Sequence, residues 1–579
     1  MESRAVNFES SHLRAQHSPL ANIDIVSFVQ GPTLGARYPL RWTNRSQMQM
    51  TRALLVYPEF RSASFWNYRE TCKLVDARYP AAPLGLCTVA ALLPPDWEVT
   101  LVDRNVEDWD DAALSRADVV LTGGMMAQQR DCLAIIREAR RRGTRVIVGG
   151  PDVTSSPHLY GEADHLILGE AEITLPLFLA DLAGGTPKKR YHDSRKADVR
   201  ASPTPRFDLL KFDRYNHIGI QWCRGCPFNC EFCDIIELFG KVPRAKSSRQ
   251  ILAELQTLYD LGYRGHVDLV DDNFIGNKKL VKLFLPELKK WLEERDWPFE
   301  FTTEASINLA DDPVLLTLMQ EVGFFAIFIG IESPDESTLI AMQKRQNTHR
   351  SITENIRTIY RHGMFVNAGF IIGFDTETGN VARGIIACIE ETGIPVNLAG
   401  LLFALPNTQL TRRLAAEGRL HENFDVAPEG EGDQCTTGIN FDPCRPRADI
   451  LRDYLQVIET VYTPERYFAR VLEVGRRLDS SRRKFTPGLR QGVRELKGFV
   501  RMAMKLGLSG ATRRPFWNAL TRAVWSNPRS ARYAGFLMAL YLHFGPFSQY
   551  VAARIRLAIA AEEQNPTRVA TPRRAVVPS

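Results

Sequence analysis

Cys226-Pro227-Phe228-Asn229-Cys230-Glu231-Phe232-Cys233 places three thiols on one short stretch, with three residues and then two between them. Thiolates this close in sequence can converge on a single inorganic centre, and three ligands to a four-iron, four-sulfur cluster leave one iron open for chemistry. Two blander readings stand beside that one. A structural zinc wants a fourth ligand and usually paired CxxC units, and Cys223-Arg224-Gly225-Cys226 supplies such a unit. Alternatively the thiols are unrelated buried side chains.

Outward from this stretch, Asn216-His-Ile-Gly-Ile-Gln-Trp222 reads as a strand that delivers the cysteine loop at its carboxyl end. Apolar runs recur at 266–271, 299–304, 325–331, 366–373 and 397–403, with helical segments such as 248–261 and 351–362 between them. Six βα units predict a partial (β/α)6 barrel over 215–425, with functional residues at the strand ends. Polar residues stand there: Asp271, Asp272 and Asn273 close the second strand, Glu304 and Asn308 follow the third, and Glu332 closes the fourth. Gly369 and Gly373 mark the fifth, and Leu405-Pro-Asn-Thr408 follows the sixth.

Upstream, five apolar runs at 53–57, 98–103, 118–122, 145–149 and 165–169 alternate with helical segments. Continuous apolar strands imply a parallel sheet covered on both faces, hence a doubly wound (Rossmann-like) α/β domain over 52–195 with its ligand at the carboxyl strand ends. Gly123, Gly124, Gly149, Gly150, Gly169 and Glu170 stand at those ends. Such glycines either admit a bulky or phosphate-bearing ligand or simply make tight turns. Residues 196–214 read as a linker and 1–51 as a poorly ordered extension.

Residues 426–579 read as helical, with segments at 450–461, 464–478, 491–506 and 515–525 and an apolar run at 534–544. Phe516, Trp517, Leu520, Val524 and Trp525 recur near helical spacing beside Arg513, Arg514 and Arg522, which suits either an interfacial helix or a helical lid on the barrel. Cys435 and Cys444 are free thiols or ligands.

A chain of 579 residues is long enough for roughly two to four domains. Its ten cysteines, four of them between 223 and 233, do not form a disulfide framework, and a cluster needs a reducing compartment. The polar N-terminus and the lack of any run near the ~18 apolar residues a bilayer demands predict a cytoplasmic protein. A net charge of +6, concentrated toward the C-terminal part, gives no reason to expect nucleic acid.

The CxxxCxxC spacing, with Phe232 just before the last cysteine, resembles the radical S-adenosylmethionine (SAM) superfamily. The resemblance implies that Cys226, Cys230 and Cys233 hold a [4Fe-4S] cluster whose open iron binds SAM, with Cys223 outside it. It also implies that Asp271, Asp272 and Asn273 face the amino group of SAM, Glu332 its ribose, and Gly369 and Gly373 its adenine. Glu304 is the candidate active-site residue.

An α/β domain directly before such a barrel, with Pro83-Leu-Gly-Leu86 and Gly169-Glu-Ala-Glu172, resembles a cobalamin-binding domain, with the sheet-end glycines and Glu170 as cofactor contacts. It departs from cobalamin domains that carry Asp-x-His-x-x-Gly after the first strand: none follows Tyr57, and His158-Leu-Tyr-Gly161 has Ser156 where the Asp belongs. No His of this domain is therefore expected on the cobalt. Stretches such as Tyr57-Pro-Glu-Phe60 and Phe301-Thr-Thr-Glu-Ala-Ser-Ile-Asn308 are similar to the subgroup that carries a C-terminal domain of unknown function and includes hopanoid C-2 methylase.

That similarity implies methyl transfer to an unactivated carbon of a small or lipid-like metabolite. It implies a reducing partner such as ferredoxin or flavodoxin, while the Trp, Phe and Arg pattern at 513–525 suggests membrane-peripheral contact through the C-terminal region. A cobalamin-assisted oxidoreductase or cyclase is the alternative chemistry. A tRNA-modifying methylthiotransferase would bring three further ligand-spaced cysteines, whereas Cys72, Cys87 and Cys132 are scattered. Intact cluster cysteines argue against a cobalamin sensor that has lost radical chemistry.

Overall fold

The structure, a computed structural model, describes residues 50–60, 63–109, 111–427, 436 and 438–570. Seven short strands precede residue 195: β1 (Arg52–Tyr57), β2 (Tyr79–Ala81), β3 (Glu98–Asp103), β4 (Val119–Gly123), β5 (Arg145–Gly149), β6 (His165–Leu168) and β7 (Arg190–His192). β1 buries four consecutive residues, as a strand covered on both faces must. Six of the seven form a parallel sheet in the order β3-β1-β4-β5-β6-β7. β7 extends the expected five at the outer edge, and at three residues it is too short for alternation to mark it.

The remaining early strand, β2, goes elsewhere. It pairs in parallel with β8 (Tyr215–Ile220), with Tyr79 opposite Tyr215 and Ala81 opposite His217. After β8 come β9 (Cys223–Arg224), β10 (Arg244–Ala245), β11 (Gly265–Leu269), β12 (Phe299–Glu304), β13 (Phe324–Glu332), β14 (Phe365–Ile372) and β15 (Val396–Leu401). The curled parallel sheet runs β15-β14-β13-β12-β11-β8-β2, seven strands where six are expected. β9 and β10 make a small antiparallel ladder that frames the cysteine loop. The stretch expected as a linker holds three single-turn 3-10 helices, Val199–Ala201, Phe207–Leu209 and Phe212–Arg214.

Helices Arg447–Val461, Pro464–Arg477, Leu489–Gly507, Arg513–Ser526 and Ala531–Gln564 make up the C-terminal region. The 534–544 run lies inside the last of these, whose Tyr533, Leu537, Tyr541, Phe544 and Val551 are all buried. Phe547 on this helix meets Phe65 edge to face at 4.8 Å, an aromatic pair worth about 0.5–1.5 kcal/mol beyond its burial. The long helix thus pins the segment after β1. Of the 513–525 pattern, Phe516 and Leu520 pack inward, while Trp517, Val524 and Trp525 are exposed. No helix among the described residues is long and apolar enough to cross a membrane. Cys435 and the 1–49 part of the N-terminal extension lie outside the described residues. Cys444 is half-buried, and desolvation pushes its thiol up to about 11.

Candidate active site

The cysteine loop leaves β9 through Gly225, whose φ of 89° and close approach to the Gly240 carbonyl exclude a side chain: an added Cβ would lie 2.8 Å from that oxygen. Two carboxylates beyond the end of β11 hold the loop. Asp271 Oδ1 accepts from the Cys223 N–H at 2.6 Å, and Asp272 Oδ2 accepts from the Gly225 N–H at 2.8 Å. Cys223 itself is buried, its thiol 3.5 Å from the Asn273 carbonyl oxygen.

Amide donors meet two of the three motif sulfurs. Asn273 Nδ2 lies 3.8 Å from Cys226 Sγ, and Gln346 Nε2 lies 3.6 Å from Cys230 Sγ. Such N–H donors tune an iron–sulfur centre. Desolvation pushes the Cys226 and Cys233 thiols up, and the nearby Cys230 adds to the rise in both. Among the described residues no three His, Cys, Asp or Glu side chains converge as ligands of one ion would. A cluster asks for a different arrangement, since each thiolate holds its own iron. Three thiols on one loop, backed by amide donors, fit a cluster of that kind.

Glu332 ends β13 with φ 66°, a left-handed conformation that costs a non-glycine residue about 1–3 kcal/mol. That geometry brings its carboxylate to Lys344, with Nζ 2.5 Å from Oε1 and both side chains buried. Lys344 also lies over the Phe232 ring at 5.9 Å and feels the Cys230 and Cys233 thiols. Desolvation opposes its charge, but Glu332 outweighs it and raises the Lys344 ammonium. Gly369 stands beside this pair, where an added Cβ would come within 3.7 Å of Glu332 Oε2. Gly373 (φ 119°) donates its N–H to Glu377, whose carboxyl is pushed up to about 7 by desolvation. Asp271 Oδ2, Gln346 Oε1 and Asn347 Oδ1 are buried with no hydrogen-bond partner among the described residues, acceptors suited to an ammonium.

Glu304 closes β12 on the same strand face as Thr302. Its carboxyl is open to solvent yet set among dense walls, and desolvation, helped by Asp268 and Asp272, pushes it up to about 8. Glu304 is exposed at the mouth, so solvent tempers that shift. Below Glu304 runs a polar column: Thr302 Oγ1 donates to Asp268 at 2.5 Å, His266 Nε2 lies 2.7 Å from Thr302 Oγ1, and the His217 ring is 4.8 Å from that of His266. Desolvation lowers both imidazoles.

On the other domain, the ends of β4 and β5 touch so closely that a Cβ on Gly123 would sit 2.1 Å from the Gly149 oxygen. Gly150 and Gly169 take φ values of 100° and 80°. These bare strand ends, with Gly85 facing open space, fit the approach of a bulky cofactor. Gly124 is backed by the Gln128 side chain. Glu170 is held at both oxygens, by Arg224 at 2.9 Å and Arg244 at 2.9 Å, and Glu172 pairs with Arg224 at 2.6 Å. Both arginines belong to the β9–β10 ladder, so the sheet-end acids clamp the frame of the cysteine loop. His158 is exposed and pairs with Asp425 at 3.2 Å.

Lys344, Gln346 and Asn347 escape sequence reading, because a polar run after a short helix carries no period. The His217–Asp268–Thr302–His266 column escapes it for another reason: its residues are spread over three strands.

Comparisons with known proteins agree with this layout. The model of the B12 binding domain matches residues 72–179, that of the radical SAM superfamily 220–386, and a domain of unknown function (DUF4070) 408–556. An uncharacterized methyltransferase of Synechocystis is 42% identical over 506 residues, covering 87% of this chain and 93% of its own. Hopanoid C-2 methylase of Rhodopseudomonas palustris is 33% identical over 488 residues, covering 82% and 89%. Among solved structures, the radical S-adenosylmethionine methyltransferase TsrM from Kitasatospora setae aligns with a TM-score of 0.54 at 15% identity, over 88% of this chain and 100% of that one. The cobalamin-dependent radical enzyme OxsB aligns at 0.55 and 15% identity, over 89% and 81%.

Proposed function

The chain belongs to the cobalamin-binding radical SAM enzymes that end in DUF4070, and on that footing we propose that it methylates an unactivated carbon of a lipid-like metabolite at the barrel mouth. The observation that carries this reading is the clamp of Glu170 and Glu172 on Arg224 and Arg244, which ties the cobalamin-side strand ends to the frame of the cluster loop. When bound, the cluster and SAM supply a carbon radical that removes hydrogen, and cobalamin supplies the methyl group.

The chain's own task is placement. Cys226, Cys230 and Cys233 hold the cluster, while Asp271 and Asp272 fix the loop that carries them. Asp271, Gln346 and Asn347 offer buried acceptors to the SAM ammonium, and Glu332, steadied by Lys344, borders the nucleoside. Glu304, its carboxyl raised by desolvation, stands at the mouth where it can hydrogen-bond a polar group of the substrate and so orient the carbon to be methylated. Gly123, Gly149, Gly150 and Gly169 form the cobalamin ledge.

The hopanoid methylase relative supports the lipid-like substrate. Membrane-peripheral contact through the C-terminal helices and a ferredoxin or flavodoxin as electron donor complete the reading. The test is turnover of the reconstituted enzyme on candidate lipids, with products counted. One methylated product should accompany one 5'-deoxyadenosine and one S-adenosylhomocysteine. Deoxyadenosine without methylated product or S-adenosylhomocysteine would identify an oxidoreductase or cyclase instead.

A further inference from the structure

The Leu489–Gly507 helix has three faces where an ordinary surface helix has two. Gly498, Met502 and Leu506 turn inward and are buried. A second face is basic: Arg501 Nη1 reaches the Leu74 carbonyl at 2.9 Å and Asp76 at 2.7 Å, and Arg494 bonds the Val75 carbonyl. Arg490 and Lys497, on the same side, have no ion-pair partner among the described residues.

The third face is apolar and bare. Leu489, Val493, Leu496, Val500 and Met504 recur every three or four residues, with exposures from 48% for Val493 to 87% for Leu489. Leu508, 74% exposed, and the half-open Trp517, whose indole N–H donates to the Gly507 carbonyl at 3.0 Å, prolong the stripe. A contiguous exposed stripe of this length marks an interaction surface. Its composition selects the partner, because an apolar stripe edged by cations is what a helix lying in the plane of an anionic bilayer presents.

Beside the helix lies a cleft of about 1340 Å³, walled by the helix itself, from Leu489 and Leu496 of the outer stripe to Met502 of the inner side, by the strand-start end of the barrel and by the Ala531–Gln564 helix. Tyr263, Phe325, Phe499, Met502 and Phe536 line it. It is at the far end of the barrel from the cysteine loop, so it is not the reaction site. Its volume exceeds that of an ordinary small-molecule pocket, about 300–1,000 Å³, and its walls are more apolar than polar, with Arg264, Arg295, Arg494 and Arg532 supplying cations among the aromatics.

We infer that the outer face of Leu489–Gly507 docks the enzyme on an anionic bilayer and that the cleft beside it receives a lipid molecule from that bilayer. The inference rests on the lipid-like substrate proposed above. The exposed stripe and the cleft share one helix, so a molecule leaving the bilayer beside that helix meets the cleft without crossing bulk water.

Two measurements on the full-length protein test this, and neither needs turnover. Sedimentation with phosphatidylcholine vesicles containing phosphatidylglycerol should capture the protein, less so as salt is raised. Leu496→Glu/Val500→Glu should weaken the partition at least about tenfold, because two apolar side chains no longer bury. Trp525→Ser, on the neighbouring helix, should bind like the wild type. No capture of the wild type, or equal capture of the double variant, overturns the docking assignment.

For the cleft, the probe is the fluorescent fatty acid cis-parinarate. Gly535 lines the cleft and an added Cβ there meets nothing within 4 Å, so Gly535→Phe fills the cleft without a clash at its Cβ. Gly488→Phe, at the other rim, serves as a second block. Saturable fluorescence in the wild type that both variants lose, with vesicle capture intact, is the expected result. Parinarate binding unchanged in both variants overturns the cleft assignment. The product stoichiometry decides methyl transfer separately, whichever way these two arms fall.

Discussion

The Asp271 carboxylate accepts a 2.6 Å hydrogen bond from the Cys223 backbone, and through it the end of β11 holds the entry to the cysteine loop. Burial raises Asp271 well above the usual carboxylate range, and its second oxygen has no partner among the described residues. An acceptor at that point matters more than a charge.

Asp271→Asn keeps the acceptor and should retain iron and sulfide near the wild-type level. Asp271→Ala strands the buried Cys223 N–H, a loss of about 1–3 kcal/mol that falls on the loop, so iron and sulfide per chain should drop. Equal content in the two variants would refute the anchoring role.

The Cys223 thiol is buried and directed at the Asn273 carbonyl, a placement that packing alone explains. Cys223→Ala should therefore keep the visible absorption of the reconstituted cluster, whereas Cys226→Ala, Cys230→Ala and Cys233→Ala should each abolish it. Loss in Cys223→Ala equal to the others would show a fourth ligand.

His158 is exposed and engaged with Asp425, and it lies after β5 rather than after β1. The electron paramagnetic resonance spectrum of the cob(II)alamin form should lack nitrogen superhyperfine splitting, and His158→Ala should leave it unchanged. A nitrogen-coupled signal that vanished in that variant would reverse the assignment.

Desolvation pushes the folded-state Glu304 carboxyl up to about 8, against an ordinary value of 4.5, and solvent at the open mouth tempers that rise. A carboxyl raised in this way binds its proton more tightly in the folded chain, so its ionised form costs stability. The cost is absent below about pH 4.5, grows as pH rises to about 8, and is level above that. Glu304→Gln removes it. The melting temperature of the variant relative to wild type should thus rise from pH 5 to pH 8, and a flat difference would mean that the mouth solvates Glu304 fully.

Arg532 meets the buried Glu300 through two 2.8 Å contacts and Glu495 through a third at 2.9 Å, fastening the long C-terminal helix to the strand-start end of the barrel. Arg532→Ala leaves the buried Glu300 with the Tyr533 hydroxyl at 3.2 Å but without its cation, and because Arg532 is partly exposed the cost is about 1–3 kcal/mol. Chemical denaturation should show a loss of that order, and Glu300→Gln in the same background should restore part of it.

Much of the layout was legible because its signals are local. Strands such as β1 and β13 are continuous apolar runs, and the three cysteines carry their own spacing. What could not be read depends on distant partners. Glu170 stands in a turn that suggests a ligand, yet Arg224, fifty-four positions later, takes its carboxylate. β2 and β7 are three residues each, below the length at which alternation is visible. The outward stripe of Leu489–Gly507 follows a helical period, but whether such a stripe is core or surface is decided by what packs against it.

The pairing of β2 with β8 gives the two cofactor-bearing halves a shared hem. Separating the two halves would strip the barrel sheet of one edge strand, β2, and expose the edge of β8. The ledge formed by Gly123, Gly149 and Gly169 is therefore stitched to the barrel from two sides, by that strand and by the Glu170–Arg224 clamp. A sheet sewn to its neighbour at both margins resists a hinge opening between the two strand-end platforms, and the loops and helical region are the parts that can move with both ties intact.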